Sequence, residues 1–291
     1  MTDSFSLQDA TVAIVGLGLM GGSLALALGA QNACRRIIGV TRDGKTCQAA
    51  LDRGYLDVAG PELSLASEAD VIILATPVRT IIEQLPQVGQ VARQGAIIMD
   101  LGSTKHAITQ AMQVLPPHVE PIGAHPMCGK ETFGFEAAEA TLYRDATFVL
   151  TPLARTSAPT LALAESLAIN VGARPTVLDA ARHDEIVAIT SHLPFILAST
   201  LMTTAAELAR DDDSIYTLAA SGFRDTSRLA ASDTTMMLDT LMTNRENVVV
   251  AARACSRHLD KLANLIERQA EDALRAMFQD ASTRRRAIFK P

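Results

Sequence analysis

The run VAIV at residues 12–15 passes directly into GLGLMGGS at 16–23, and a helical stretch, Leu24–Gly29, follows. A strand that turns through spaced glycines into a helix, with a second strand beyond it, restricts the chain to a βαβ unit around a phosphate-binding turn. Gly16 permits the tight turn, Gly18 lets main chain approach a pyrophosphate, and Gly21 lets the helix pack closely on the strand. Leu19 and Met20 complete the loop, whose helix-start amides attract an anion through their N–H groups and the helix dipole. A Rossmann-type domain that binds a dinucleotide is expected.

The rest of the first 179 residues has the same texture. Strand-like runs fall at Thr11–Val15, Arg36–Val40, Val71–Ala75, Ala96–Asp100, Val119–Ala124, Thr147–Thr151 and Pro175–Asp179. Helical patterns lie between them at Ser23–Gln31, Lys45–Arg53, Arg79–Val91, Thr104–Val114 and Pro159–Val171. This alternation predicts an α/β fold with a mainly parallel sheet. From Ala180 onward no strand pattern remains, and Val248, Ala252, Cys255, Leu259, Leu262 and Ile266 recur at the helical period. The expected organisation is a dinucleotide-binding domain at 1–179 and an all-helical dimerisation and substrate domain at 180–291.

Residues 185–209 are apolar over about the length of a bilayer span. Their polar content and the lack of an aromatic belt or basic flank predict a helix buried by protein, not by lipid. A helical domain of ~110 residues has few elements to surround such a helix. A twofold partner offering the same surface completes its burial, so a homodimer is expected. Pro194 is expected to kink this helix.

Composition narrows the classes of function. With 48% hydrophobic and 20% charged residues among 291, the chain can build a core and is not generally disordered. A formal net charge of -6 provides no basic stripe for nucleic acid. Four cysteines without paired or ligand-type spacing indicate neither a disulfide framework nor a metal site. The opening MTDSFSLQDA is not a secretory signal, so a cytoplasmic location is expected. Arg284, Arg285 and Arg286 read as a solvated tail.

The end of the second strand selects the cofactor. An NAD site usually carries Asp or Glu there to hold the ribose 2′-hydroxyl. This chain has Val40, Thr41 and Arg42, with Lys45 and Thr46 close behind. Arginine pairs with a 2′-phosphate that a carboxylate would repel, which favours NADP. Asp43, one position later, would favour NAD if it turned inward. Thr76 and Pro77 after the third strand are expected to line the cofactor. Ser103 belongs to the same sheet edge and is also placed as N-cap of a helix beginning at Thr104.

His125, in PIGAHPMCGKE at 121–131, ends a strand on the sheet edge that carries the glycine loop. A histidine there can reach the nicotinamide end of a cofactor and exchange a proton near neutral pH. His192 also stands out by context, whereas His106, His118, His183 and His258 read as surface or helix residues.

These residues make the chain recognisable. It resembles the prephenate/arogenate dehydrogenase family over essentially its whole length, through GLGLMGGS, ATP at 75–77, DLGSTK at 100–105, GAHPMCGKE at 123–131, SHLP at 191–194 and GFRDTSRLA at 222–230. The resemblance implies an oxidative decarboxylation. A cyclohexadienol bearing a ring carboxylate gives a hydride to NAD(P)+, loses CO2 and becomes aromatic. It implies that His125 accepts the ring-hydroxyl proton and that Ser103 supports the hydroxyl or His125. Arg228 matches the substrate-binding arginine, with Arg224 nearby and Asp225 as its ionic neighbour. Lys130 and Glu131 are expected to close over the substrate, and His192 to be structural or adjacent to the site. Many relatives read SHLPH, but position 195 here is Phe195. The TRD element at 41–43 resembles the NADP-using members that prefer arogenate, so arogenate is favoured over prephenate, with a dual enzyme as an alternative. Inhibition by tyrosine, if it occurs, is expected to be competitive at Arg228. Two other readings are a β-hydroxyacid dehydrogenase, which would use a lysine in its helical domain where this chain has Lys261, and a non-catalytic dinucleotide sensor.

Overall fold

Side chains alternate along a strand, so one strand can serve two apolar layers. The computed structural model describes residues 6–130, 132, 134–210 and 214–289. Its strands are β1 (Thr11–Val15), β2 (Arg36–Val40), β3 (Val58–Gly60), β4 (Val71–Leu74), β5 (Ile97–Asp100), β6 (Glu120–Pro126), β7 (Thr147–Pro152) and β8 (Arg174–Val177). Between and around them run α1 (Leu19–Ala30), α2 (Gly44–Asp52), α3 (Val78–Val91), α4 (His106–Met112) and α5 (Ala158–Asn170).

Val12 and Ile14 of β1 join a layer with Leu24 and Leu28 of α1 and Leu163 and Leu167 of α5. Ala13 and Val15 join the opposite layer with Ile81 and Leu85 of α3 and Ile108 and Met112 of α4. The sheet is therefore covered on both faces, which is why its central strands read as unbroken apolar runs. Every expected strand is present within two residues of its expected ends. The sequence reading missed β3, a three-residue edge strand beside β2, because three residues are too few to show a period.

Strand order is β3-β2-β1-β4-β5-β6-β7-β8. Pairing is parallel except between β6 and β7. The chain winds outward from β1 to β3, returns to β4 beside β1, and winds outward again. The crevice between the ends of β1 and β4 is the topological switch point, where open α/β sheets bind ligands. Gly16, Ala75, Leu101 and His125 all lie at the carboxyl ends of strands on that edge.

After β8 the described residues are helical: α6 (Ala180–Val187), a π-helical turn (Ala188–His192), α7 (Leu193–Leu208), α8 (Ser214–Thr217), α9 (Ser221–Ser227), a 3-10 turn (Arg228–Ala231) and α10 (Thr234–Thr243). Pro194 does not kink the middle of a helix. It sits in the first turn of α7, where its missing N–H matters least, and the wide turn just before it absorbs the break. Helices α6 and α7 together are long and apolar enough to cross a membrane by length and composition, and 22% of their most apolar window is buried within the chain. Residues 1–245 form one compact unit. The second unit, residues 246–291, contains most of α11 (Arg245–Glu267) and all of α12 (Glu271–Ile288). The expected apolar stripe lies on α11, with Leu259 and Ile266 exposed.

Candidate active site

At Gly16 the backbone has φ +99°, and a Cβ there would meet Thr76 Cγ2 at 2.8 Å and the Ala75 carbonyl at 2.9 Å. A Cβ on Gly21 would lie 1.9 Å from the Gly16 oxygen. These two glycines are demanded by the packing of β1, α1 and β4. Gly18 differs, since nothing lies within 4 Å of a Cβ placed on it. The 12-residue α1 begins just beyond, at Leu19, with no side chain capping its first amides. Open space before an uncapped helix start suits a pyrophosphate, so these residues fit a dinucleotide. The Tyr143 hydroxyl donates to the Met20 carbonyl at 2.6 Å and holds the first turn of α1 from behind.

Around this loop, the Thr76 hydroxyl donates to Gln84 Oε1 at 2.8 Å, and Pro77 is exposed at the start of α3. Beyond β2, Thr41 and Thr46 are half-buried and Arg42 is exposed. The Asp43 carboxylate accepts from the Lys45 and Thr46 amides at 3.2 and 3.1 Å and from the Thr46 hydroxyl at 2.7 Å. It is the N-cap of α2. The Thr46 hydroxyl, followed by the two amides, holds its carboxyl below the usual range.

At the end of β6, His125 Nδ1 faces His183 Nε2 at 2.8 Å, and His183 Nδ1 faces Asp184 Oδ1 at 2.8 Å. The two rings meet edge to face, with centroids 5.0 Å apart. His183 was expected to be a surface or helix residue; it is on α6, but fully buried. Asp179 caps α6, and one turn later His183 and Asp184 face inward with Val187. The i,i+4 spacing of His183 and Val187 is the signal that could have revealed this. Burial first, then His183, Lys105 and His192, push the His125 imidazole well below its ordinary 6.5.

A buried ion pair lies beneath. Lys105 Nζ donates to Asp100 Oδ2, and to the Ala124 carbonyl at 2.6 Å. Asp100 also accepts from the amides of Gly102 at 2.7 Å and Ala124 at 3.2 Å. Burial pushes the carboxyl up and the amine down, and each partner opposes the shift of the other. The pair ties the turn after β5 to the residue before His125, a role the sequence reading did not give Lys105 or Asp100.

Ser103 is half-buried on that turn but is not a helix cap. Helix α4 starts at His106, and the amides of Lys105 and His106 are capped by Asp184 from α6. A cap from a distant element leaves the Ser103 hydroxyl without that task. His192 is buried in the π-helical turn, with Nδ1 3.2 Å from Asn244 Nδ2, while its buried Nε2 has no partner among the described residues. Burial pushes it down to about 4, with Asp184 opposing and His183 adding.

The expected substrate groups stay outside this buried cluster. Arg224 and Arg228 are exposed, and Arg224 Nε lies 3.4 Å from Asp225 Oδ1, the expected neighbour. Both arginines ride on elements that pack on α7. Lys130 Nζ pairs with Glu139 Oε2 at 2.6 Å. Glu131 lies outside the described residues.

Residues 24–177 match the family profile described as prephenate dehydrogenase, nucleotide-binding domain, and residues 179–280 match that of prephenate dehydrogenase, dimerization domain. A prephenate dehydrogenase of Lactococcus lactis is 33% identical over 280 residues, covering 95% of this chain and 77% of that protein. The crystal structure of Synechocystis arogenate dehydrogenase is 33% identical with a TM-score of 0.81, covering 96% of this chain and 100% of that one. The prephenate dehydrogenase of A. aeolicus, solved in complex with hydroxyphenyl propionate and NAD+, is 28% identical with a TM-score of 0.90, covering 99% and 100%.

Proposed function

The chain belongs to the prephenate dehydrogenase family, and on that footing we propose that it catalyses the NADP-dependent oxidative decarboxylation of arogenate to tyrosine. As a member it is an NAD(P)-dependent oxidoreductase, which sets aside the sensor and hydroxyacid readings. The observation that carries the proposal is the position of His125. It lies near the carboxyl end of β6 on the sheet edge that carries the glycine loop, with burial favouring its neutral, basic form.

Gly16, Gly18, Leu19, Met20 and Gly21 hold the pyrophosphate, and Thr76 and Pro77 line the cofactor groove. A bound nicotinamide dinucleotide supplies the hydride acceptor. His125 takes the ring-hydroxyl proton as carbonyl character develops, then returns it to that oxygen when loss of CO2 makes the ring aromatic. Ser103, on the neighbouring turn, orients the hydroxyl. Arg228 pairs with a substrate carboxylate and Arg224 supports it. Lys130 closes over the site, for which its pair with Glu139 must open, and Glu131 is assigned to substrate binding. His192 supports the site from behind through Asn244.

NADP is favoured because the carboxylate that could have selected NAD, Asp43, is engaged as a helix cap while Arg42 is free of any such duty. Thr41 and Thr46 flank the 2′-phosphate. Arogenate is favoured by the TRD element, and the arogenate dehydrogenase among the similar structures is in keeping with it. Prephenate, or both substrates, is the second reading; the same site chemistry serves it, and the Lactococcus relative is a prephenate dehydrogenase. Any inhibition by tyrosine, the product, is competitive at Arg228. A second copy covers the apolar surface of α7 in a homodimer working in the cytoplasm.

The deciding experiment crosses arogenate or prephenate with NADP or NAD in initial-rate assays of nicotinamide reduction. Turnover mainly with arogenate and NADP is expected. Faster turnover with prephenate, or with NAD, overturns the corresponding half of the proposal.

A further inference from the structure

We infer that His183 and Asp184 form a relay that sets the tautomer of His125, leaving its Nε2 as the only basic nitrogen. The inference rests on the reading of His125 as the proton acceptor and assigns that role to one atom.

Asp184, fully buried, accepts main-chain hydrogens from Lys105 at Oδ1 and His106 at Oδ2. A carboxylate in such a place acts as an acceptor, so the hydrogen between it and His183 sits on His183 Nδ1. With its Nδ1 hydrogen committed to Asp184, His183 offers the lone pair of Nε2 to His125. His125 Nδ1 faces that atom at 2.8 Å, a separation with room for one hydrogen only. That hydrogen belongs to His125 Nδ1, and the lone pair of His125 falls on Nε2, away from His183.

When Nε2 takes the substrate proton, Nδ1–H of the resulting imidazolium stays held by His183, backed by the negative charge of Asp184. The proton goes back by the same atom. His183 and Asp184 touch neither substrate nor cofactor in this scheme, so they are positioning residues. Lys105 and His192 are the other titratable groups acting on His125. Lys105 is held by Asp100 and Ala124, and His192 by Asn244. Neither competes for His125 Nδ1.

The test joins a spectrum with a kinetic series. In the full-length protein labelled with 15N-histidine, His125 is expected as the Nδ1–H tautomer above its titration range, its signals assigned through His125→Asn. Asp184→Asn, where its amide group turns toward His183 Nδ1, donates there, reverses both hydrogens and turns His125 to Nε2–H, which the same spectrum reads. It should lower kcat by at least about 100-fold, the direction seen when tautomer control is lost in serine-protease triads, with dinucleotide affinity and KM within about threefold. His183→Gln keeps an acceptor for His125 Nδ1 and should retain more activity than His183→Phe. Wild-type His125 found as Nε2–H, or an Asp184→Asn protein whose His125 is Nε2–H with undiminished kcat, overturns the relay. A fully active His125→Asn instead overturns the assignment of His125 as the base, which separates the two failures. If Asp184→Asn does not fold, the wild-type spectrum and the His183 pair decide the question.

Discussion

Asp184 caps Lys105: its Oδ1 takes the Lys105 amide hydrogen at 2.7 Å, across 79 residues of sequence. This bond joins α6, the first helix after the sheet, to the turn that follows β5. The same carboxylate touches His183, and through it His125. One buried acid therefore positions the Ser103 turn and the candidate base together.

Two glycines of one motif should respond differently. Gly18→Ala places its methyl in open space, so the fold should keep its stability while dinucleotide affinity drops about tenfold or more as the approach is blocked. Gly21→Ala drives a methyl into the Gly16 carbonyl and should destabilise the protein by about 1–3 kcal/mol or more. Urea unfolding and dinucleotide titration of both variants separate the effects. Equal losses of stability would count against this division.

Arg42→Asp should weaken NADP binding by at least about tenfold and leave NAD nearly unchanged, as expected for a lost charge-assisted contact of about 1.5–3 kcal/mol. Fluorescence titration with each cofactor measures it. Parallel losses for both would remove the 2′-phosphate from Arg42.

Lys105→Met leaves Asp100 buried without its cation. Breaking a buried pair in this way costs about 3–5 kcal/mol, whereas replacing both partners costs less. The double variant with Asp100→Asn should recover part of the loss in urea unfolding. A single variant as stable as the wild type would mean that the pair carries little of the local structure.

The acid limb of activity should fall below the ordinary histidine range. Because the folded protein holds the His125 value below 6.5, the basic form persists through neutrality. The profile of kcat/KM should stay flat there and decline on acidification with a midpoint below 6.5. A midpoint above 6.5 would contradict the neutral, buried placement.

His192 should make the fold sensitive to acid. Its value is about 4 when folded and about 6.5 when unfolded, so the unfolded chain binds the proton first as pH falls. Stability from this group is complete above 6.5 and is lost as pH falls toward 4, by up to about 3 kcal/mol. The stability difference between pH 7 and pH 4.5 should shrink in His192→Asn, as measured by urea midpoints. An unchanged difference would assign the acid sensitivity to other groups.

Much of the architecture was legible in sequence because its signals are local. The apolar runs of β1, β4 and β5, the glycine spacing and the helical period along α11 each concern neighbours on one element, and the family motifs named His125 and Ser103. What escaped was nonlocal or too short. Three-residue β3 has no period to read. The cap on α4 comes from Asp184, so a serine next to the helix start was the wrong candidate. His183 looked like one more helical histidine until α6 was laid against β6.

The sequence by itself determined the mainly parallel sheet, the phosphate-binding turn and the family, since these follow from periodicity and from residue types at set spacings. Only the tertiary structure decided which polar side chains meet. His125, His183, Asp184, Lys105 and Asp100 come from four separate elements, and their partners are set by the way those elements pack. Buried groups must satisfy one another once water is excluded, and that condition exists only in the folded chain.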